Sequence, residues 1–503
     1  MKSLYLTEEH ELFRQSLRSF LDKEAMPYID QWEEERKIPR EIWKKMGDMG
    51  FLGLGYPTEY GGSELDFFYD MVFTEEITKC FSGGFAVVQL VVQYMSAPYI
   101  LKYGSEKLKQ KYLPGIISGD KISSIGITEP SAGSDVANIK TTARREGDYY
   151  IVNGSKTFIT NAVYGDFIVT VVKTDPSAGP AGVSLLVIDR DAEGVSATKL
   201  KKLGWHASDT AELGFDNVKV PAENLIGEEG SGFYYLMGGL QLERLIAGVG
   251  GYAGCEHAVQ HALKYMKDRE AFGRPLTKFQ VLRHRIAQLA SEIESVKQFV
   301  QNCAYMHEKG EYVVKECSMA KLLATELSDK TMTQCLQFFG GYGYIEEYKI
   351  ARLFRDSRIG TIGGGSSEIM REIISKMVID DITYEAASIP SDSMMVNGNG
   401  DLQANKGVSS ILEGIQASAS KASPLGSKLK FDFGQEQLMI DGTGASNQVS
   451  TSNEEANCTV QVSLDDFKSL VKGQLNPMSA VMSGKIKING DMGVAMKLQS
   501  LFS

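Results

Sequence analysis

The sequence lacks the marks of a disulfide scaffold, a membrane span or a nucleic-acid binder. Its six cysteines (Cys80, Cys255, Cys303, Cys317, Cys335 and Cys458) are scattered and form no C-x-x-C pair, as expected of structural thiols in a reducing compartment. No apolar run reaches the roughly 18 residues that a bilayer demands, so no transmembrane segment is expected. Acidic residues outnumber basic ones, and the formal net charge of −11 argues against a broad nucleic-acid footprint. Any anionic ligand must therefore be met by local Arg, Lys and backbone N–H groups. The start, Met1 to His10, turns acidic too soon for a signal or transit peptide. The last residues, Leu501-Phe502-Ser503, are not a Ser-Lys-Leu-type peroxisomal address. These absences together predict a cytoplasmic protein.

What is present is enough chain, 503 residues at 43% hydrophobic content, for several cores. The first hundred or so residues have helical periodicity: Phe13, Leu17, Phe20 and Leu21 fall on one face after a Thr7 N-cap. Pro57 to Gly62 is a turn. From about Ser124 the period shortens. Tyr149–Val152 and Ser155–Thr160 flank Asn153-Gly154, which predicts a hairpin with a type I′ turn. Phe167–Val172 and Val183–Ile188 are further strands. Long helical patterns return with Leu282–Cys303 and Tyr312–Phe339. The segment from Ala386 to Gly400 is rich in Gly, Ser and Asn and is expected to be a flexible linker. In the final hundred residues Lys430–Phe433 and Lys485–Ile488 alternate like half-buried strands. The predicted boundaries are 1–123 (helical), 124–234 (β), 235–382 (helical bundle), 383–405 (linker) and 406–503 (a separate α+β unit), with no internal repeat.

Several short stretches carry chemistry. Ile127 to Asp135 is a small-residue loop, Thr-Glu-Pro-Ser-Ala-Gly-Ser-Asp after Ile127, that lets backbone amides approach a planar ring or a thioester. Lys156 to Asn161 follows it. Arg269-Glu270-Ala271-Phe272-Gly273, with Gln280 beyond, offers a guanidinium suited to bidentate pairing with phosphate. Gln337 to Tyr344 is a Gly/aromatic segment, Arg355 to Glu368 contains Gly363-Gly364-Gly365-Ser366, and Gln241 to Leu245 reads Gln-Leu-Glu-Arg-Leu.

In this order the stretches resemble the acyl-CoA dehydrogenase family over some 380 residues. The resemblance implies a helical domain, a β-barrel-like domain and a four-helix bundle, with FAD as cofactor and an acyl-CoA as substrate. It places Ile127, Thr128, Ser134, Phe158, Thr160, Arg269, Phe272, Gln280, Gln337, Gly341, Ser366 and Glu368 at the cofactor, and Ser134, Arg244, Gly364 and Gly365 at the substrate. Thr160 would hydrogen-bond near flavin N5, and Phe158 would lie against the isoalloxazine unless it is a core aromatic. Many members carry the catalytic glutamate in the slot that Gly364 occupies here. The branch that includes isovaleryl-CoA and long-chain acyl-CoA dehydrogenases carries it on an earlier helix, where Glu243 stands. Burial in an apolar channel would raise the pKa of such a glutamate. Glu368 is the second candidate, and a surface Glu-Arg pair is the ordinary alternative for Glu243. The triple glycine would leave room beside the flavin for a branched or bulky acyl group. Contacts from a neighbouring subunit imply a homodimer or homotetramer, and the expected electron acceptor is an electron-transfer flavoprotein or similar partner.

Three patterns are expected to be silent. Gly248 to Ala253 fits G-x-G-x-x-A but follows a helical run, so close helix packing explains it better than a dinucleotide site. His257 and His261, near Cys255, are expected on a solvated face rather than on zinc. Asn153-Gly154-Ser155 is a sequon in form only. Pro477 to Leu498 resembles the end of sterol carrier protein 2 domains, which bind lipids or acyl-CoA in an apolar tunnel. Met478, Met482, Met492 and Met496 would suit such a tunnel. The leading expectation is a flavin-dependent acyl-CoA dehydrogenase with a tethered lipid-binding domain. The alternatives are a lipid-transfer or scaffold protein with a vestigial dehydrogenase half, and an oxidase using oxygen.

Overall fold

The computed structural model describes residues 3–380, 382, 427–433, 437–444, 446–450, 456–463 and 467, with backbone alone for 486–490. The expected linker and the four tunnel methionines lie outside the described residues. The chain divides into two compact units, Met1–Pro390 and Ser391–Ser503.

The first unit begins with helices. Thr7 caps Glu8–Glu24, and His10 completes the capping box by accepting from the Thr7 N–H at 3.0 Å. Leu17 and Leu21 are fully buried, with Phe13 and Phe20 packed against the same core. The turn at Pro57–Gly62 is present, ending on Gly61 at φ 96°. Helices Gly83–Leu90 and Ala97–Tyr103 are joined by a π-helical turn, Val91–Ser96. This Gly83–Tyr103 run is 21 residues long with mean hydropathy 1.4, enough to cross a bilayer, but 78% of its apolar window is buried inside the protein. It is the core helix of the first domain.

The middle of the unit is a sheet of eight strands: β1 (Ser123–Gly126), β2 (Thr142–Glu146), β3 (Tyr149–Thr160), β4 (Phe167–Lys173), β5 (Val183–Asp189), β6 (Val195–Lys199), β7 (Thr210–Pro221) and β8 (Leu225–Ile226). The order is β6-β7-β3-β2-β4-β5-β8, with β1 paired to β4. Strands β4 and β5 are apolar on both faces because both are covered. Val169, Val171, Leu185 and Val187 meet the helical core, while Ile168, Val172, Leu186 and Ile188 build a second core behind it.

The predicted Asn153-Gly154 hairpin does not form. Strand β3 runs straight through both residues, and the reversal lies earlier, at Gly147-Asp148, where Gly147 has φ 59°. Asn153-Gly154 is instead an irregularity in the pairing of β3 with β7. Glycine is required there by crowding, since a Cβ would sit 2.6 Å from Thr141 Cα. Asn153 Oδ1 accepts from the Asn217 N–H at 2.9 Å across the irregularity.

Five helices follow: Gly232–Asp268, Gln280–Glu308, Val314–Phe338, Lys349–Ser357 and Ser367–Ile379. The glycines of the G-x-G-x-x-A stretch do serve close packing. Cβ atoms added at Gly248 and Gly251 would lie 3.4 and 2.9 Å from atoms of Ala320 and Ala324 on Val314–Phe338. His257 and His261 are not on a solvated face: both pack edge-on against the Phe81 ring, at 4.2 and 5.0 Å between centroids. Burial depresses both imidazoles, His257 to about 3. Among the described residues no His, Cys, Asp or Glu cluster suits a metal, and all six cysteines are free and buried.

The second unit contains a five-stranded sheet in the order Gln448–Ser450, Gln437–Asp441, Lys428–Asp432, Cys458–Val462, Ile486–Gly490. Phe431 of the predicted Lys430–Phe433 run is buried, as is Leu429 two residues before it, and the Phe431 and Phe467 rings meet at a tilt with centroids 4.5 Å apart.

Candidate functional site

Helix Gly232–Asp268 carries Glu243 and Arg244 into the interior, 6% and 5% exposed. The surface-pair alternative for Glu243 is therefore removed. Its Oε1 accepts from the Tyr99 hydroxyl at 3.1 Å. Burial pushes the Glu243 carboxyl up to about 7, against the opposing pull of Tyr99 and of the Arg244 charge. Arg244 reaches Ser318 Oγ at 3.5 Å on helix Val314–Phe338. One turn further on, buried Lys321 donates to the carbonyl of Gly365. Burial, reinforced by the Arg244 charge, lowers Lys321 to about 8. Lys321 thus ties the glycine loop to the helix that Arg244 packs against.

Within that loop Gly364 has φ 64°, and a Cβ there would meet nothing within 4 Å. Gly365 differs: at φ 90° its Cβ would strike Met370 Cε at 2.7 Å. Open space beside the loop is thus found at Gly364 and not at Gly365. The Ser366 hydroxyl caps helix Ser367–Ile379 by accepting from the Ile369 N–H at 3.4 Å. Glu368 lies in the first turn, its side chain 81% exposed. Its own backbone N–H and the Ser366 hydroxyl hold its carboxyl below the ordinary range. The two carboxylate candidates thus have opposite environments.

The Thr-Glu-Pro loop is fixed to β3 by three contacts. Glu129 and Lys156 form an ion pair at 2.7 Å, Lys156 Nζ also donates to the Ile127 carbonyl at 3.1 Å, and the Thr157 N–H donates to the Thr128 carbonyl at 2.8 Å. Immediately after this anchor β3 loses register with β7 between Lys156 and Ile159. Phe158 sits in that bulge at φ 63° and is 69% exposed. It is not a core aromatic. Thr160 returns to register opposite Thr210. Asn161, also left-handed, donates through Nδ2 to the carbonyls of Val88 and Ser123, locking the strand end to the core helix. Ser134 and Gly133 are exposed on the open side of the loop.

Arg269 follows the C-terminus of helix Gly232–Asp268 and lies 5.9 Å from the Tyr342 ring. Phe272, at φ 51° in the tight turn between Glu270–Ala271 and Arg274–Pro275, is 96% exposed. Gln280 begins the next helix. Gln337 and Gly341 are exposed at the end of Val314–Phe338 and just beyond it. The structure joins Arg269 to the Gly/aromatic segment and places both at the surface, apart from the buried Glu243 environment. Tyr99, Glu129, Lys156, Asn161 and Lys321 were missed as site residues. Only Glu129, Lys156 and Asn161 had a signal, since they lie inside motifs already noted.

Three family descriptions match the first unit: acyl-CoA dehydrogenase N-terminal domain over residues 7–120, middle domain over 124–218 and C-terminal domain over 230–379. The SCP-2 sterol transfer family matches 409–503. The chain is 38% identical over 380 residues to the mitochondrial long-chain specific acyl-CoA dehydrogenase of Rattus norvegicus, covering 75% of this chain and 87% of that protein. An acyl-CoA dehydrogenase structure from Geobacillus kaustophilus superposes with TM-score 0.74 at 46% identity, covering 75% of this chain and all of its own. A chain from a study of the electron transferring flavoprotein of Acidaminococcus fermentans superposes with TM-score 0.73 at 35% identity, covering 75% of this chain and 99% of its own. Helical, sheet-rich and helical parts in sequence agree with these likenesses: the chain belongs to the acyl-CoA dehydrogenase family and carries an SCP-2 domain at its C-terminal end.

Proposed function

We propose that this flavin-dependent dehydrogenase uses FAD and takes the α-proton of an acyl-CoA thioester with Glu243, giving the trans-2-enoyl-CoA. The observation that carries the assignment is the contrast between carboxylates: Glu243 is buried with a pKa near 7, whereas Glu368 is exposed and acidic and Gly364 offers no carboxylate. A general base works best with its pKa near the operating pH. When bound, the flavin supplies the acceptor for the β-hydrogen, which leaves as hydride to N5.

The residues present fit such a cofactor. Phe158 projects from its bulge as a flat apolar surface, and Thr160 follows on the same strand. Gly133 and Gly364 present backbone with open space beside it, suited to a planar ring and a thioester. Arg269 supplies a guanidinium for the pyrophosphate. Arg244, next to the base, holds carboxylate character in Glu243 by its charge. The outward placement of Phe272, Gln337 and Gly341 supports cofactor contacts shared with a second copy, in a homodimer or homotetramer. A flavoprotein partner of the electron-transfer kind is the acceptor this reading favours.

The test is anaerobic bleaching of the purified yellow protein by a panel of straight, branched and steroid-side-chain acyl-CoAs. Wild type should bleach, and Glu243→Gln should bind the same thioesters without bleaching. Wild-type bleaching rates in the Gln variant would overturn the assignment.

A further inference from the structure

We propose that Tyr99 is a positioning residue for this reaction: its phenol holds Oε1 of Glu243 and leaves the second carboxylate oxygen to meet the thioester α-carbon. This rests on reading Glu243 as the base.

Three features of the chain build the contact. The core helix reaches Tyr99 only after the π-helical turn Val91–Ser96, whose extra residue rotates everything downstream by about one residue's angle relative to an unbroken α-helix. Ser96 fixes that turn, donating to the Val91 carbonyl at 2.9 Å while its oxygen lies 2.6 Å from Ser123 Oγ on β1. On the opposite side, one helical turn before Glu243, stands Gly239. A Cβ added there would lie 2.3 Å from the Tyr99 hydroxyl oxygen and 2.5 Å from Cζ. The phenol therefore occupies the space a side chain would fill. Tyr103, the next turn of the core helix, stacks on Tyr235 at 4.0 Å and lies near Gly238, whose Cβ would come 3.2 Å from its hydroxyl. Two tyrosines thus lie against two consecutive glycines on the base's own helix.

The phenol has one role open to it. Tyr99 is 2% exposed, and burial next to Glu243 keeps its proton on at any working pH. It donates to the carboxylate and cannot compete as a base. A donor held to the charged form favours that form, so Tyr99 opposes the burial that raises Glu243. The other titratable groups nearby are Arg244 on the same helix, Tyr103 beside Tyr99, and Lys321 and Cys317 facing Arg244 from helix Val314–Phe338.

The experiment compares wild-type holoenzyme with Tyr99→Phe, Gly239→Ala and Glu243→Gln. Infrared pH titration reads the carboxyl band that disappears in Glu243→Gln, and the pH profile of kcat/KM is measured alongside. Removing the donor should move the band midpoint and the acid limb upward together by about one pH unit, tenfold in the proton equilibrium. It should lower kcat more than it changes KM. Gly239→Ala keeps the phenol but displaces it, and should shift both readouts in the same direction. Should Tyr99→Phe fail to fold, Gly239→Ala decides. An unmoved or lowered midpoint in a folded variant overturns the role of Tyr99. Turnover surviving in Glu243→Gln would instead overturn the base assignment, so the two failures are distinct.

Discussion

Lys156 and Glu129 form an ion pair at 2.7 Å with both side chains inside the protein, 0% and 3% exposed. Glu129 also accepts from the N–H groups of Lys140 and Thr141, at 2.6 and 3.0 Å. One carboxylate thus joins the Thr-Glu-Pro loop, the lead into β2 and the strand that carries Phe158 and Thr160. Burial lowers the Lys156 ammonium to about 8, and the Lys156 charge draws Glu129 below its ordinary value.

Breaking this pair from one side leaves a buried charge with no counter-charge, a loss of about 3–5 kcal/mol. Glu129→Gln should therefore lower the melting temperature sharply and reduce flavin absorbance per mole of protein. The double variant Glu129→Gln/Lys156→Met should recover much of the stability, because no ammonium remains to be solvated. Differential scanning calorimetry with flavin quantitation reads both. A single variant that melts with wild type would show that the pair does not anchor the loop.

Motif order made the architecture legible, and so did composition at the element level. Helix periodicity located Phe13, Leu17, Phe20 and Leu21, and doubly apolar runs marked β4 and β5. Asn153-Gly154 misled because the same dipeptide suits a two-residue turn and a strand irregularity. Crowding by Thr141, distant in neither sequence nor space, selects the latter, but no local signal announces it. His257 and His261 looked polar by type, yet the Phe81 ring that covers them comes from another helix boundary. Glu243 was found through its motif and through the glycine at position 364. Tyr99 was invisible, since its contact depends on a π-helical turn and on a glycine more than a hundred positions along the chain.

The burial that raises Glu243 also sets a pH dependence on folding. A carboxyl whose folded pKa lies near 7, against an unfolded value of about 4.3, favours the protonated folded state. That contribution is complete below the unfolded value and is lost as pH rises through about 7. At 1.36 kcal/mol per unit the loss is about 4 kcal/mol. Glu243→Gln mimics the neutral acid at every pH. It should melt close to wild type near pH 5 and above it near pH 8.5, while turnover falls by about 10²–10⁴-fold, the usual contribution of a general base. A melting difference independent of pH would contradict the buried carboxyl.

The SCP-2 match at 409–503 makes a separate claim testable. A lipid-binding domain tethered to the dehydrogenase through a linker of the kind the Gly/Ser/Asn-rich composition predicts would be held at an effective concentration of about millimolar order. If it delivers substrate, the gain appears only where free substrate is scarce and poorly dissolved. Inserting a protease site near Asn397 and cutting it leaves both halves present but untethered. Long-chain acyl-CoA at low concentration should then turn over more slowly, with an increased apparent KM and little change in kcat. Short-chain acyl-CoA should be indifferent, because it needs no carrier. Adding the free C-terminal fragment back in excess should restore the long-chain rate. Equal long-chain kinetics before and after cutting would leave the domain as a lipid binder that takes no part in catalysis.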